Sequence, residues 1–213
     1  MNNITNYLSS SIDWCEPNFV YNFYIAEYWN SLTSLMISVN GLVGMYYYPE
    51  VQILYLTLIP IGITSFYFHA SLSLMGQLLD EFFIMFSIIV SAHYINNHIY
   101  PISNSYLLYF INFIQILLCF TFPVYNRLLL FLHGFYFWKF LRHMKTTLYV
   151  EDIYYITVSE VLFSLSVACW LIDYIFCIKF INFHAIWHIL IGCVGYYLIK
   201  ALYIINYCQR LKY

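Results

Sequence analysis

The sequence predicts an all-α integral membrane protein: one bundle of seven transmembrane helices, N-terminus luminal or extracellular, C-terminus cytosolic. Three observations lead there. Of 213 residues, 63% are hydrophobic and only 8% charged, whereas a soluble domain devotes about a quarter of its residues to charge. Mean hydropathy is +0.73, which leaves too little polar surface to coat a globule. Charges and turn residues also divide the chain into apolar stretches of the length that a bilayer core of about 30 Å demands, roughly 20 residues each. The same composition excludes disorder, collagen-like repeats and a disulfide-dense secreted scaffold. A net charge of −2 without a basic run argues against nucleic acid as a partner.

The elements follow in order. The opening MNNITNYLSSSIDW has neither the basic nor the apolar region of a cleaved signal, so the first span is expected to direct insertion. Spans are expected at residues 29–48, 51–70, 78–97, 106–120, 123–141, 153–176 and 184–207. Breaks fall at Tyr48-Pro49-Glu50, residues 71–77, residues 97–105, Phe122-Pro123, residues 142–152 and residues 177–183. With no linker or repeat, residues 1–213 form one domain, a luminal segment 1–28 followed by the bundle 29–207. Orientation comes from the positive-inside rule. Lys139, Arg142, Lys145, Arg210 and Lys212 fall on one side, and Arg127 and Lys179 on the other. The richer side is the cytosolic one. Asn3-Ile4-Thr5 is then a luminal glycosylation sequon.

Ionisable groups in a span are costly and therefore functional suspects. Ser65 and His69 lie four apart near the end of the second span, on one helix face. Asp80 opens the third span, and His184 and His188 open the seventh at the same spacing, about 6 Å along the axis. Helix counting brings all of these to the luminal side, at one depth. Three imidazoles on two helices suit tetrahedral zinc with its fourth position left for water. Such a metal acidifies water and polarises a carbonyl, Asp80 is placed to take the proton, and Ser65 to donate to a developing oxyanion. A lone HxxxH is more often incidental, and it is His69 and Asp80 at the same depth that carry the zinc reading. His93, His98, His133 and His143 read as interfacial or hydrogen-bonded residues. Asp173 reads as a partner of backbone or hydroxyl groups, and Glu160 similarly. The 24 Tyr and 19 Phe read as lipid-facing bulk and interfacial belts.

Before the first span, Asp13, Glu16 and Glu27 bring three carboxylates into fifteen residues without a basic neighbour, with Asn18 between them. They read as a solvated anionic segment or, with a backbone carbonyl added, as a site for an oxygen-loving cation such as calcium. Cys15 and Cys177 fall on the same luminal side, where disulfides persist, and a Cys15–Cys177 bond is expected.

Three stretches together resemble the alkaline ceramidase family. They are Asp13-Trp14-Cys15-Glu16-Pro17-Asn18 with Tyr24-Ile25-Ala26-Glu27-Tyr28-Trp29-Asn30, then residues 65–69 with Gln77-Leu78-Leu79-Asp80-Glu81, and Phe183-His184-Ala185-Ile186-Trp187-His188. The resemblance implies a seven-span amidase with zinc on His69, His184 and His188, and with Ser65 and Asp80 around its water. It implies calcium on Asp13, Trp14 (through its carbonyl), Glu16, Asn18 and Glu27. The implied reaction is hydrolysis of the ceramide amide to a sphingoid base and a fatty acid, in endoplasmic reticulum or Golgi membranes; ceramide-type and membrane lipids are the expected partners, and no obligate protein partner is inferred. Asp173-Tyr174 and a short stretch between Cys177 and His184 depart from the family pattern and bear on chain preference. Two related classes stand as alternatives: an adiponectin-receptor-like receptor of opposite orientation, and a hydrolase that remodels the lipid of glycosylphosphatidylinositol anchors.

Overall fold

The computed structural model describes residues 3–99, 105–147, 153–178 and 180–211, and within them the architecture is helical. Lys179 and Lys212, two members of the charge asymmetry, lie outside the described residues.

Helix α1 covers Tyr28–Tyr47. A short 3-10 turn at Pro49–Val51 leads into α2 (Gln52–Leu56) and α3 (Leu58–Ser71). The break at Thr57 has a local cause: Pro60 lacks an amide hydrogen and its ring crowds the carbonyl four residues back. Helix α4 (Leu74–His98) follows α3 almost at once. Leu72, in the left-handed region at φ 46°, ends α3, and the Ser73 hydroxyl accepts from the Gly76 amide to start α4. The expected break at residues 71–77 therefore shrinks to two residues, because a left-handed stop and an N-cap are adjacent. Then come α5 (Ser105–Thr121), a 3-10 turn at Pro123–Tyr125, α6 (Asn126–Thr147), α7 (Ile153–Phe176) and α8 (Phe183–Leu211). The expected break from Arg142 is also corrected. Helix α6 continues to Thr147, and Lys145 and Arg142 point across to Glu160 of α7, at 2.7 and 3.9 Å. That pairing, with the Lys145 bond as its short member, supplies the charge that a helix end needs to extend beyond an apolar stretch.

Helix α1 packs between α3 and α8, α8 also packs along α7, and α3 along α4, with α5 and α6 at the edge against α4 and α7. Small residues explain the intimacy of the α1–α3 contact. A Cβ on Gly62 would lie 2.8 Å from the Ser34 carbonyl oxygen, so glycine there lets the two backbones approach. The main apolar core, which includes Ile37, Leu54, Tyr55, Leu198, Leu202 and Ile205, fills the half of the bundle away from the histidines. Among the described residues, four helical stretches are long and apolar enough to cross a membrane: Pro49–Ser71, Leu74–His98, Tyr154–Phe176 and Phe183–Cys208. The outer faces expose large apolar side chains such as Leu42, Ile63, Phe113, Leu117, Val161 and Leu165, a surface that suits lipid rather than water.

The N-terminal segment forms a cap over the α3–α4 turn. Leu8 and Ser10 amides donate to the Ser71 and Leu72 carbonyls, and Ala26 and Glu27 amides to those of Ala70 and His69, at 2.9–3.0 Å. Ile12, Ala26, Phe68 and Leu72 form a small apolar cluster beneath it. Cys15 and Cys177 are joined in a disulfide, as expected, across 162 residues, which ties the cap to the end of α7.

Candidate metal centre

Helices α3 and α8 bring His69, His184 and His188 together, all buried, with one potential ligand atom from each lying within 4.8 Å of the others. Each ring is held from outside the cluster. His69 Nδ1 meets Glu27 Oε2 at 2.5 Å. His188 Nδ1 meets Thr33 Oγ1 at 3.2 Å, and since that hydroxyl donates to the Trp29 carbonyl, the imidazole is the donor. With Nδ1 of each of these rings engaged from outside the cluster, Nε2 is the nitrogen left to face a metal, and the tautomer with the proton on Nδ1 is the one that a metal ligand needs. His184 is held differently. Its amide donates to Asp173, its ring stacks on the Trp14 indole with centroids 3.7 Å apart, and its buried Nδ1 has no hydrogen-bond partner. Three neutral imidazoles, two with an outer oxygen partner and one with an orphaned nitrogen, fit a divalent ion that takes nitrogen ligands.

The two residues read as catalytic are at the same place. Ser65, almost wholly buried, has its Oγ 3.4 Å from His188 Nε2. It also neighbours the carboxylate of Asp80, whose buried Oδ1 has no hydrogen-bond partner. The immediate reversal of the chain at Leu72-Ser73 is what returns Asp80 to the level of Ser65, one helical turn from His69 on the same face of α3.

The acidic residues of the cap are likewise gathered. The Asn18 amide donates to both Asp13 carboxylate oxygens at 3.2 and 3.3 Å, and its own Oδ1 is buried without a partner. Glu27 accepts from the Trp14 amide at 2.8 Å and from the Asn30 side chain at 2.9 Å. Burial pushes the Glu27 carboxyl up to about 8 against those two hydrogen bonds, and the charge of Asp13 pushes the same way. Burial likewise raises Glu16, with the charge of Glu27 adding to it and hydrogen bonds opposing. The cap thus brings Asp13, Asn18 and Glu27 together around an amide oxygen of Asn18 that has no hydrogen-bond partner.

Glu16 has a structural task that its sequence position does not reveal. Its oxygens accept from the Trp29 and Asn30 amides at 2.7 and 2.8 Å and from Asn182 at 2.9 Å. It thereby satisfies free donors at the start of α1, where a negative charge is favoured.

Residues 6–213 match the family described as Ceramidase. The chain belongs to the ceramidase family. Relatives similar to it include alkaline ceramidase 1 of Homo sapiens, 30% identical over 90% of this chain and 81% of the relative. Alkaline ceramidase of Drosophila melanogaster is 29% identical over 88% and 74%, and alkaline ceramidase 3 of Mus musculus 27% identical over 88% and 80%.

Sequence reading missed several partners in this ceramidase-family site. Glu27 faces His69 as well as the acidic cap, Thr33 holds His188, and the Trp14 indole, not only its peptide, touches the histidine cluster. Thr33 could have been noticed, since Asn30, Thr33 and Ser34 add polarity to the first turns of a span. Asp173 does what was expected of it and serves backbone groups, the amides of Cys15 and His184, at 3.1 and 3.2 Å. His133 is hydrogen-bonded, to Gln115 and the Leu129 carbonyl.

The Trp14 stack yields a prediction. Should the cluster hold a metal, Trp14→Leu is expected to weaken its binding by about tenfold, the lower end for loss of a group that orients a ligand, whereas Trp14→Phe retains most of the affinity. Metal titration of both variants against a chromophoric chelator checks it, and equal affinities for Leu and wild type would show that the indole does not hold His184.

Proposed function

We propose that this chain is a zinc-dependent ceramidase that hydrolyses the N-acyl amide of a ceramide to a sphingoid base and a free fatty acid, as part of sphingolipid metabolism. The observation that carries the reading is the buried His69–His184–His188 cluster with Ser65 and Asp80 beside it, in a chain of the ceramidase family. Endoplasmic reticulum or Golgi membranes are the proposed location, following the family resemblance.

When bound to His69, His184 and His188, zinc would polarise the amide carbonyl and acidify a water. Asp80 is the base that takes a proton from the attacking water as its oxygen bonds to the carbonyl carbon. The Ser65 hydroxyl donates to the carbonyl oxygen as that atom gains negative charge. Asp80 then returns the proton to the departing nitrogen, the C–N bond breaks, and amine and carboxylic acid are left. Glu27 and Thr33 keep two of the imidazoles in the tautomer with Nε2 free.

Calcium is proposed on Asp13, the Trp14 carbonyl, Glu16, Asn18 and Glu27. Its part is to cancel repulsion among the carboxylates and so hold the cap over the zinc ligands, without taking part in bond breaking. The direct test is to incubate purified protein with ceramide, dihydroceramide and phytoceramide and to measure released fatty acid. Release that is lost on zinc chelation and restored by zinc supports the proposal. No release from any of the three rejects it.

Seven spans are proposed, with α1, α5 and α6 added to the four apolar stretches above. The 20 residues of α1 would reach about 30 Å, the bilayer core. The basic asymmetry supports a luminal N-terminus. A glycosylation tag fused at the N-terminus is expected to be modified and one at the C-terminus to remain bare. The reverse pattern would overturn the orientation and reopen the receptor alternative.

A further inference from the structure

We propose that the loop at residues 19–26 is a second membrane contact, an aromatic wedge seated in the headgroup boundary of the leaflet on the N-terminal side. The run Pro17-Asn18-Phe19-Val20-Tyr21-Asn22-Phe23-Tyr24-Ile25-Ala26 contains no charge. The chain there folds back on itself: the Phe19 amide donates to the Ala26 carbonyl at 2.8 Å, Asn22 and Ile25 form an antiparallel bridge, and the Tyr24 amide donates to the Asn22 side chain at 2.8 Å. These bonds satisfy part of the tip's own backbone, as an apolar surrounding requires. Phe19, at φ 58°, turns into the apolar cluster under the cap. Its neighbours turn the other way, leaving Phe23 82% and Tyr24 74% exposed, with Val20 and Tyr21 beside them.

The occupant of this surface is lipid. The Tyr21 ring lies 5.8 Å from Tyr28 and 5.9 Å from Trp29, so the wedge runs without a break into the exposed side of α1, where Trp29, Leu32 and Met36 continue it. Tyrosine and tryptophan are the residues that favour the membrane–water boundary, and an uncharged aromatic tip joined to a spanning helix is anchored there by apolar contact. The base of the wedge is the cap itself, Asn18 on one strand and Glu27 just beyond the other. Lipid contact at the tip would therefore hold the cap at headgroup level.

The inference rests on the proposal that α1 spans the bilayer, and the test separates the two. The full chain, with photoreactive p-benzoylphenylalanine replacing Phe23 or, on α1, Leu42, is reconstituted in phosphatidylcholine nanodiscs, irradiated and searched for lipid adducts by mass spectrometry. An adduct yield at position 23 within about fivefold of that at position 42 is expected of an interfacial aromatic site. A lower yield at 23, or adducts there to protein instead of lipid, overturns the wedge while leaving the span in place. No lipid adduct at position 42 rejects the span and the wedge together. The same replacement at Tyr24 repeats the measurement if the Phe23 variant does not fold.

Discussion

Asp80→Asn is expected to lower ceramide turnover by about 10²–10⁴-fold, the usual contribution of a general acid–base group, and to leave zinc bound. The substitution keeps the shape of the side chain and removes its ability to accept a proton. Asp80 is buried, its Oδ1 lacks a hydrogen-bond partner, and its neighbour is Ser65, so the substitution removes the acceptor that stands beside the proposed oxyanion donor. His184→Ala should differ in kind, losing zinc and turnover together, because it removes one of only three imidazoles. Ser65→Ala should cost less than either, since it deletes one donor and spares the metal ligands. Turnover and zinc content measured on the same preparations separate these cases. Near-normal turnover by zinc-loaded Asp80→Asn would mean that Asp80 is not the base.

Glu27→Ala is expected to damage three properties at once: zinc affinity, calcium activation and thermal stability. One fully buried carboxylate serves the Trp14 amide, the Asn30 side chain and the His69 ring. Its removal strands buried donors, each at a cost of about 1–3 kcal/mol, and frees the His69 ring to turn. Loss of such an outer carboxylate typically weakens metal binding by about 10–100-fold. The melting temperature should fall by several degrees, and calcium should no longer raise activity. Zinc titration, thermal unfolding and a calcium activity series check the three. If zinc affinity is unchanged while stability falls, Glu27 supports the cap alone and the link to His69 has no consequence. Full wild-type activity in excess calcium chelator would remove calcium from the account.

Most of the helical frame could be read from residues in order. Hydropathy located the long described helices because the cost of exposing apolar surface or burying charge is local to a stretch of chain, but it ran α2 and α3 together as one stretch across the break at Thr57. The breaks at Pro49 and Pro123 were found because proline acts on its own neighbours. The misplaced ends have causes that lie elsewhere in space. Helix α6 runs past Arg142 because Glu160 of another helix receives Lys145 and Arg142. Helix α4 starts early because Leu72 adopts a left-handed conformation that a leucine rarely signals.

The histidines follow the same division. Spacing of four residues puts His184 and His188 on one helix face whatever surrounds them, and span counting carries His69 and Asp80 to the same end of the bundle. Those facts belong to the chain as written, since helical periodicity and membrane crossing need no knowledge of neighbours. Which nitrogen each ring presents, and which acid stands behind it, were left to packing. Glu27, 42 residues from His69, reaches it only because α1, α3 and the cap converge, and a face assignment fixes neither the rotation of a ring nor the distance to a partner on another element. The stacking of Trp14 on His184 and the amides of α1 closed by Glu16 have the same origin. They are contacts between segments far apart in the chain, and the apolar packing that sets their distances exists only in the folded bundle.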